Sequence, residues 1–174
     1  VRLIDCVGYI VPSSLGYIEN DQPRMVNTPW YDEPIPLNMA EEIGTQKVID
    51  EHSTIGIVIT TDGSISDIPR AEYEEAEDRV IKELTAINKP FIVLLNCLDP
   101  NSDSANDTAE CISKKHSVPV MPINCLDLTH NDIKQILAKI LYEFPVKEIN
   151  VNFPKWINTL PLNHWLRADI ISSL

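Results

Sequence analysis

Two short patterns place polar groups where chemistry on a phosphorylated ligand would need them. Arg2-Leu3-Ile4-Asp5-Cys6-Val7-Gly8 is an apolar run ending in D-x-x-G. An Asp on a rigid strand end can hold hydrated Mg2+ through water. A Gly three residues on lets its backbone N–H approach a γ-phosphate with no Cβ in the way. Asp5 is thus a candidate catalytic and metal-side residue, and Gly8 a candidate phosphate sensor. Leu95-Asn96-Cys97-Leu98-Asp99 carries N-x-x-D. Here Asn96 can tether loops and meet a heterocyclic base, while Asp99 can accept from the two donors of a guanine edge. Asn124, within Ile123-Asn124-Cys125, is a third candidate for the base side, supported by its position alone. Thr60-Thr61-Asp62-Gly63-Ser64 could line the same cleft, although Asp-Gly is also a turn signal. Each pattern has a plain alternative: a strand-to-turn transition at Asp5, and an Asx-rich turn before Pro100 at Asn96.

Such residues work only if elements bring them together. Four apolar runs, Val1–Ile4, Ile55–Thr60, Phe91–Leu95 and Val118–Ile123, are continuous rather than alternating. Strands buried on both faces of a parallel sheet read this way. Between them lie helical patterns. Tyr73, Ala76, Val80, Leu84 and Ile87 recur at spacings of three and four, with Pro69 ahead and Lys89-Pro90 behind. Ile133, Ile136, Leu137, Ile140 and Leu141 mark another helix, and Thr129 and Asp132 have the spacing of a capping box before it. Further helices are expected over about 39–52 and 105–115. Alternation of this kind means βαβ units and an α/β fold. The expected sheet has four parallel strands, carrying Ile4, Val58, Leu94 and Met121. Residues 146–151 read as one more strand, and 156–174 as a short amphipathic tail. Pro12, Pro23, Pro29, Pro34 and Pro36 crowd a stretch of little periodicity, which reads as a functional loop or a disordered insert.

Composition removes several function classes. With 26 acidic residues against 14 basic ones, the net charge is −12, so the basic footprint of a nucleic-acid binder is lacking. No apolar stretch approaches the roughly 18–20 residues that span a bilayer. Cys6, Cys97, Cys111 and Cys125 form no C-x-x-C pair, so reduced thiols are expected rather than a disulfide scaffold or zinc site.

The succession of a D-x-x-G strand, a central strand, an N-x-x-D strand and a fourth strand resembles that of GTPase-like P-loop NTPases. In N-x-x-D, Cys97 stands where those proteins have Lys. No G-x-x-x-x-G-K-[ST] loop occurs in the 174 residues, and that loop is what cradles the β- and γ-phosphates. In such folds it precedes the D-x-x-G strand, and its own strand sits mid-sheet. The expectation is therefore a parallel sheet with flanking helices, truncated on its N-terminal side. Residues 1–145 would be a partial nucleotide-hydrolase domain. Residues 146–174 would be an extension toward a further domain. Such a piece is expected to bind nucleotide weakly or not at all by itself.

Longer strings narrow the resemblance. Arg2–Tyr9, Pro23–Trp30, Glu51–Gly56 running on to Gly63, Lys89–Ile92, Leu141–Val146 and His164–Arg167 resemble the stage IV sporulation protein A family over nearly the whole chain. That resemblance implies an ATP-hydrolysing protein that polymerises into the basement layer of the bacterial spore coat. It implies a cytoplasmic location on the mother-cell side of the outer forespore membrane. The implied partners are further copies of itself, a small amphipathic membrane-anchor peptide and other coat proteins. By position, Asp5 is then the Walker B acid holding Mg2+ through water, and Gly8 the γ-phosphate sensor. Asn96, Asp99 and Asn124 are the nucleotide-binding positions, with ATP and Mg2+ as ligands. Asp99 also leaves a GTP-using member open, and a non-catalytic assembly module is a further alternative.

Overall fold

The computed structural model describes residues 2–14, 16, 18–19, 22–144, 152–161 and 163–172. The chain divides into two compact units, Val1–Phe144 and Pro145–Leu174. The first is built on a parallel sheet of β5 (Gly56–Thr61), β6 (Phe91–Asn96) and β7 (Val120–Ile123), in the order β5-β6-β7. It is an α/β fold with flanking helices, as expected.

The central strand explains the arrangement. Phe91 through Leu95 are all buried, which is why the run has no polar alternation. Val93 and Leu95 pack with Ile81, Leu84, Ala109 and Ile112. These come from α2 (Arg70–Ala86) and α3 (Asp103–His116). Ile92 and Leu94 face the other way and pack with Met121, Ile123, Ile136 and Ile140, the last two from α4 (His130–Tyr142). In register, Thr61, Asn96 and Ile123 form the last rung at the carboxyl end.

Helix ends follow local chemistry. The expected capping box of α4 is present: Thr129 Oγ1 accepts from the Asp132 N–H, and Asp132 accepts from the Thr129 N–H. Ser102 caps α3, its Oγ accepting from the Ala105 N–H at 3.2 Å. Helix α2 ends with Asn88 at φ 54°, letting Lys89 N–H reach Leu84 O at 3.1 Å and Asn88 N–H reach Thr85 O at 3.0 Å. Asn tolerates this left-handed position because its side chain can bond locally. Helices α2 and α3 are also joined by charge. Asp78 accepts from Lys115 Nζ at 2.8 Å and lies 2.8 Å from His116 Nε2.

Two expectations fail. Ile4 lies in no strand, so the sheet has three of the four expected parallel strands. A strand needs a hydrogen-bonded neighbour, and residues 2–10 have none in the sheet; Leu3 is 83% and Val7 75% exposed. The proline-crowded stretch carries regular structure over much of its described length. It forms β1 (Ile18–Glu19) with β2 (Gln22–Pro23), and β3 (Met25–Thr28) with β4 (Tyr31–Pro36), both antiparallel. Prolines fit here because these two-stranded ribbons are all edge. The second ribbon leads into α1 (Leu37–Lys47), where Trp30 closes over Gly44: a Cβ there would stand 3.2 Å from Trp30 Cη2. A π-helical turn, Val48–His52, extends α1 across the expected 39–52.

In the second unit, α5 (Lys155–Thr159) and α6 (Trp165–Ser172) account for the expected tail. Arg167 Nη1 donates to Leu160 O at 2.8 Å between them. The strand expected over 146–151 lies outside the described residues. Among the described residues no helix is long and apolar enough to cross a membrane.

Leu95 has no exposed surface, so Leu95→Ala should cost about 3 kcal/mol of unfolding free energy in urea. Leu126→Ala, at a position 88% exposed, should stay within about 0.5 kcal/mol of the parent. Lys115 chiefly, and then His116, hold Asp78 below its ordinary pKa of 3.8 against the opposing effect of burial. Its contribution is therefore complete above that ordinary value and is lost as pH falls through the lower folded one. The stability gap between the parent and Asp78→Asn should narrow on acidification below about pH 4.

Candidate functional site

The carboxyl ends of β5, β6 and β7 lie side by side, the edge at which open α/β sheets hold ligands. Each strand contributes a polar loop, and side chains lace the three loops together.

Asn96 closes the last rung of β6. Its Oδ1 accepts from the Cys125 N–H at 3.0 Å, joining the β6 strand end to the loop after β7. Asn124 works in the opposite direction. Its Nδ2 donates to Leu98 O and to Asp127 Oδ2, both at 3.2 Å, and its Oδ1 accepts from the Leu126 N–H at 3.0 Å. The Asn124 amide is thus occupied in holding loops. Asp99 turns the chain toward α3: its Oδ1 accepts from the Asn101 N–H at 3.0 Å, and its carbonyl accepts from Ser102 Oγ at 2.9 Å. The bonds at Asp99 and Asn96 use Oδ1 of each, which leaves the Asp99 Oδ2 and the Asn96 Nδ2 among the atoms of this edge that a ligand could meet.

The loop after β5 is drawn into the same edge. Gly63 has φ 87°, and its N–H donates to Thr61 Oγ1 at 3.0 Å. Asp62 Oδ1 accepts from the Ser64 N–H at 2.9 Å and from Ser64 Oγ at 2.5 Å. Ser64 Oγ in turn accepts from the Leu98 N–H at 3.0 Å. Behind this loop, Arg70 Nη1 donates to Thr60 Oγ1 at 3.1 Å and Nη2 to Glu77 Oε1 at 2.7 Å, tying the start of α2 to β5.

Cys97 takes no part in the open edge. It has no exposed surface and packs inward, its Sγ 3.7 Å from Ile123 O. Burial first, and then the negative charge of Asp62, push its thiol above the ordinary value. A lysine stem lying along a ligand therefore has no counterpart here.

Gly8 is bonded elsewhere, on α1 rather than to the loops of this edge. Gly8, at φ 83°, is held by one hydroxyl: its N–H donates to Thr45 Oγ1 at 3.1 Å, and Thr45 Oγ1 donates back to its carbonyl at 3.1 Å. The next residue, Tyr9, donates its hydroxyl to Glu83, and its ring lies 4.2 Å under the Arg79 guanidinium. Burial, and then the Glu83 carboxylate, raise the Tyr9 pKa. Glu83 is about 20 Å along α2 from Arg70, at roughly 1.5 Å per residue. Asp5 itself stands exposed in the segment before Gly8.

A purine nucleotide thus meets a divided fit. The Asp99 Oδ2 and Asn96 Nδ2 offer an acceptor and a donor to a base. The sequence holds no G-x-x-x-x-G-K-[ST] loop to cradle a triphosphate beside them. Of the residues that shape the edge, Arg70 and Glu77 escape the sequence reading, whereas Ser64 falls within the segment expected to line the cleft. Arg70 and Glu77 could have been found, since residues seven apart share a helix face. The partner of Ser64 could not, because Leu98 is remote in sequence.

Comparison with known proteins agrees on one family. The family described as "Stage IV sporulation protein A, ATPase domain" matches residues 1–145. Stage IV sporulation protein A of Bacillus subtilis (strain 168) is 52% identical over 174 residues, covering 100% of this chain and 35% of its own. That of Bacillus anthracis is 50% identical over 169 residues, 97% of this chain and 34% of its own. That of Clostridioides difficile (strain 630) is 47% identical over 174 residues, 100% of this chain and 35% of its own. The chain spans about a third of the length of these curated relatives. No solved structure matches it.

The placement of the cysteines is open to direct reading. A maleimide at pH 8 should label the exposed Cys6 and Cys111 first. Cys97 should react only on unfolding, being both buried and held as the neutral thiol.

Proposed function

Because this chain belongs to the stage IV sporulation protein A family, we propose that it supplies the base-side half of the nucleotide-hydrolysing domain of a sporulation protein. The observation that carries this reading is the laced carboxyl edge. Asn96 and Asn124 hold two loops together, and Asp99 presents one unengaged carboxylate oxygen beside them. Fixed polar atoms at a sheet's carboxyl end suit a planar ligand whose edge carries both donors and acceptors.

In the longer protein the reaction is ATP hydrolysis, with Asp5 on the Mg2+ side and Gly8 at the γ-phosphate. These roles rest on the D-x-x-G pattern and on the family match. They require residues 2–8 to pair in a larger sheet than the one described. Hydrolysis would serve polymerisation into the basement layer of the spore coat, on the mother-cell side of the outer forespore membrane. An amphipathic anchor peptide and other coat proteins are the proposed partners. A second reading, a non-catalytic assembly module, has one observation in its favour. Gly8 and Tyr9 are docked on α1 and α2, away from the strand ends.

Hydrolysis by the full-length protein, with ATP and GTP compared, separates the two. Asp5→Ala should lower kcat for ATP by at least about a hundredfold, since positioning and charge stabilisation supply nearly all of the catalysis in phosphoryl transfer. Activity unchanged in Asp5→Ala would favour the assembly module.

A further inference from the structure

Leu98 is held by its backbone alone. Its side chain is 59% exposed, yet its N–H is taken by Ser64 Oγ at 3.0 Å and its carbonyl by Asn124 Nδ2 at 3.2 Å. Two loops thus clamp both peptide units that flank Leu98, a residue whose side chain contributes little packing. What the clamp positions is the next residue, Asp99, whose Oδ1 is held by the Asn101 N–H and whose Oδ2 is left to a ligand.

We propose that Ser64 is a positioning residue for base recognition, acting through Leu98 on Asp99. This rests on the nucleotide reading of the site. The hydroxyl serves as both donor and acceptor. It donates to the Asp62 carboxylate at 2.5 Å, a charge-assisted bond that fixes the oxygen and turns a lone pair toward the Leu98 N–H. Asp62 also accepts from the Ser64 N–H at 2.9 Å, so the serine is held from two sides before it meets its partner. Gly63 supplies the left-handed turn that this geometry needs; at φ 87° a Cβ would be strained and would stand 3.1 Å from the Arg70 nitrogen. No alternative partner for the Leu98 N–H is provided by Ala at position 64, whereas Thr keeps the hydroxyl. Ser64 is exposed, so its loss leaves the core intact.

The test uses the full-length protein, with Ser64→Ala, Ser64→Thr, Asp99→Ala and the Ser64→Ala/Asp99→Ala double variant. Ser64→Ala should raise KM for ATP about tenfold, the worth of one hydrogen bond of this kind, with kcat within about twofold. Ser64→Thr should restore KM. Inhibition by inorganic tripolyphosphate, which has no base, should be unchanged in Ser64→Ala. In the Asp99→Ala background the serine change should add nothing, because it acts through that carboxylate. A KM unchanged in Ser64→Ala, or effects that add fully in the double variant, would overturn the proposal and leave the nucleotide reading standing. A merely structural serine would lower kcat and thermal stability together and would weaken tripolyphosphate equally. Absence of any ATP binding by the intact protein would overturn both readings.

Discussion

The fold depends on one strand that has no access to water. Phe91 to Leu95 is buried on both faces, so neither its side chains nor its backbone can be satisfied by solvent. It must pair along both edges, and β5 and β7 lie against it in continuous parallel register. Parallel strands need long crossovers, which α2 and α3 provide, and α4 closes the remaining face of β6 and β7. The same register brings Thr61, Asn96 and Ile123 to one rung. Three loops from distant parts of the chain then leave the sheet next to one another.

That convergence would be costly if the loops were left to water and chance, since their backbone groups are partly buried. Side chains answer it. Asn96, Asn124 and Ser64 each bond a backbone group of a neighbouring loop, and Asp99 and Ser102 convert the last of these turns into the start of α3. Most of the polar capacity at this edge is therefore spent on order. The atoms left over on Asn96 and Asp99 are well fixed, the condition under which a site discriminates between ligands.

The N-terminal segment shows a different solution to the same constraint. Without a strand beside it, residues 2–10 cannot join the sheet, and they are secured by side chains instead. Thr45 bonds both backbone groups of Gly8, and Tyr9 is taken up by Glu83 and Arg79, with Glu42 completing the ion pair at 2.7 Å. A segment whose composition suits a strand is thereby found as docked coil. Composition sets what a run can do, while pairing decides what it does.

Periodicity and capping are local, which is why the sequence alone determined the helices, the buried strands around Val58, Leu94 and Met121, and the capping box at Thr129. Continuous apolar runs such as Phe91–Leu95 read as strands buried on both faces, and Pro69 and Lys89-Pro90 bounded α2 by their own backbone preferences. Local pattern could not decide whether Ile4 had a neighbour, or that Pro23, Pro34 and Pro36 would sit on antiparallel ribbons. Nor could it place Cys97 inside the core, or join Ser64 to Leu98. Those outcomes depend on contacts between residues far apart in the chain, so they exist only once the sheet has closed.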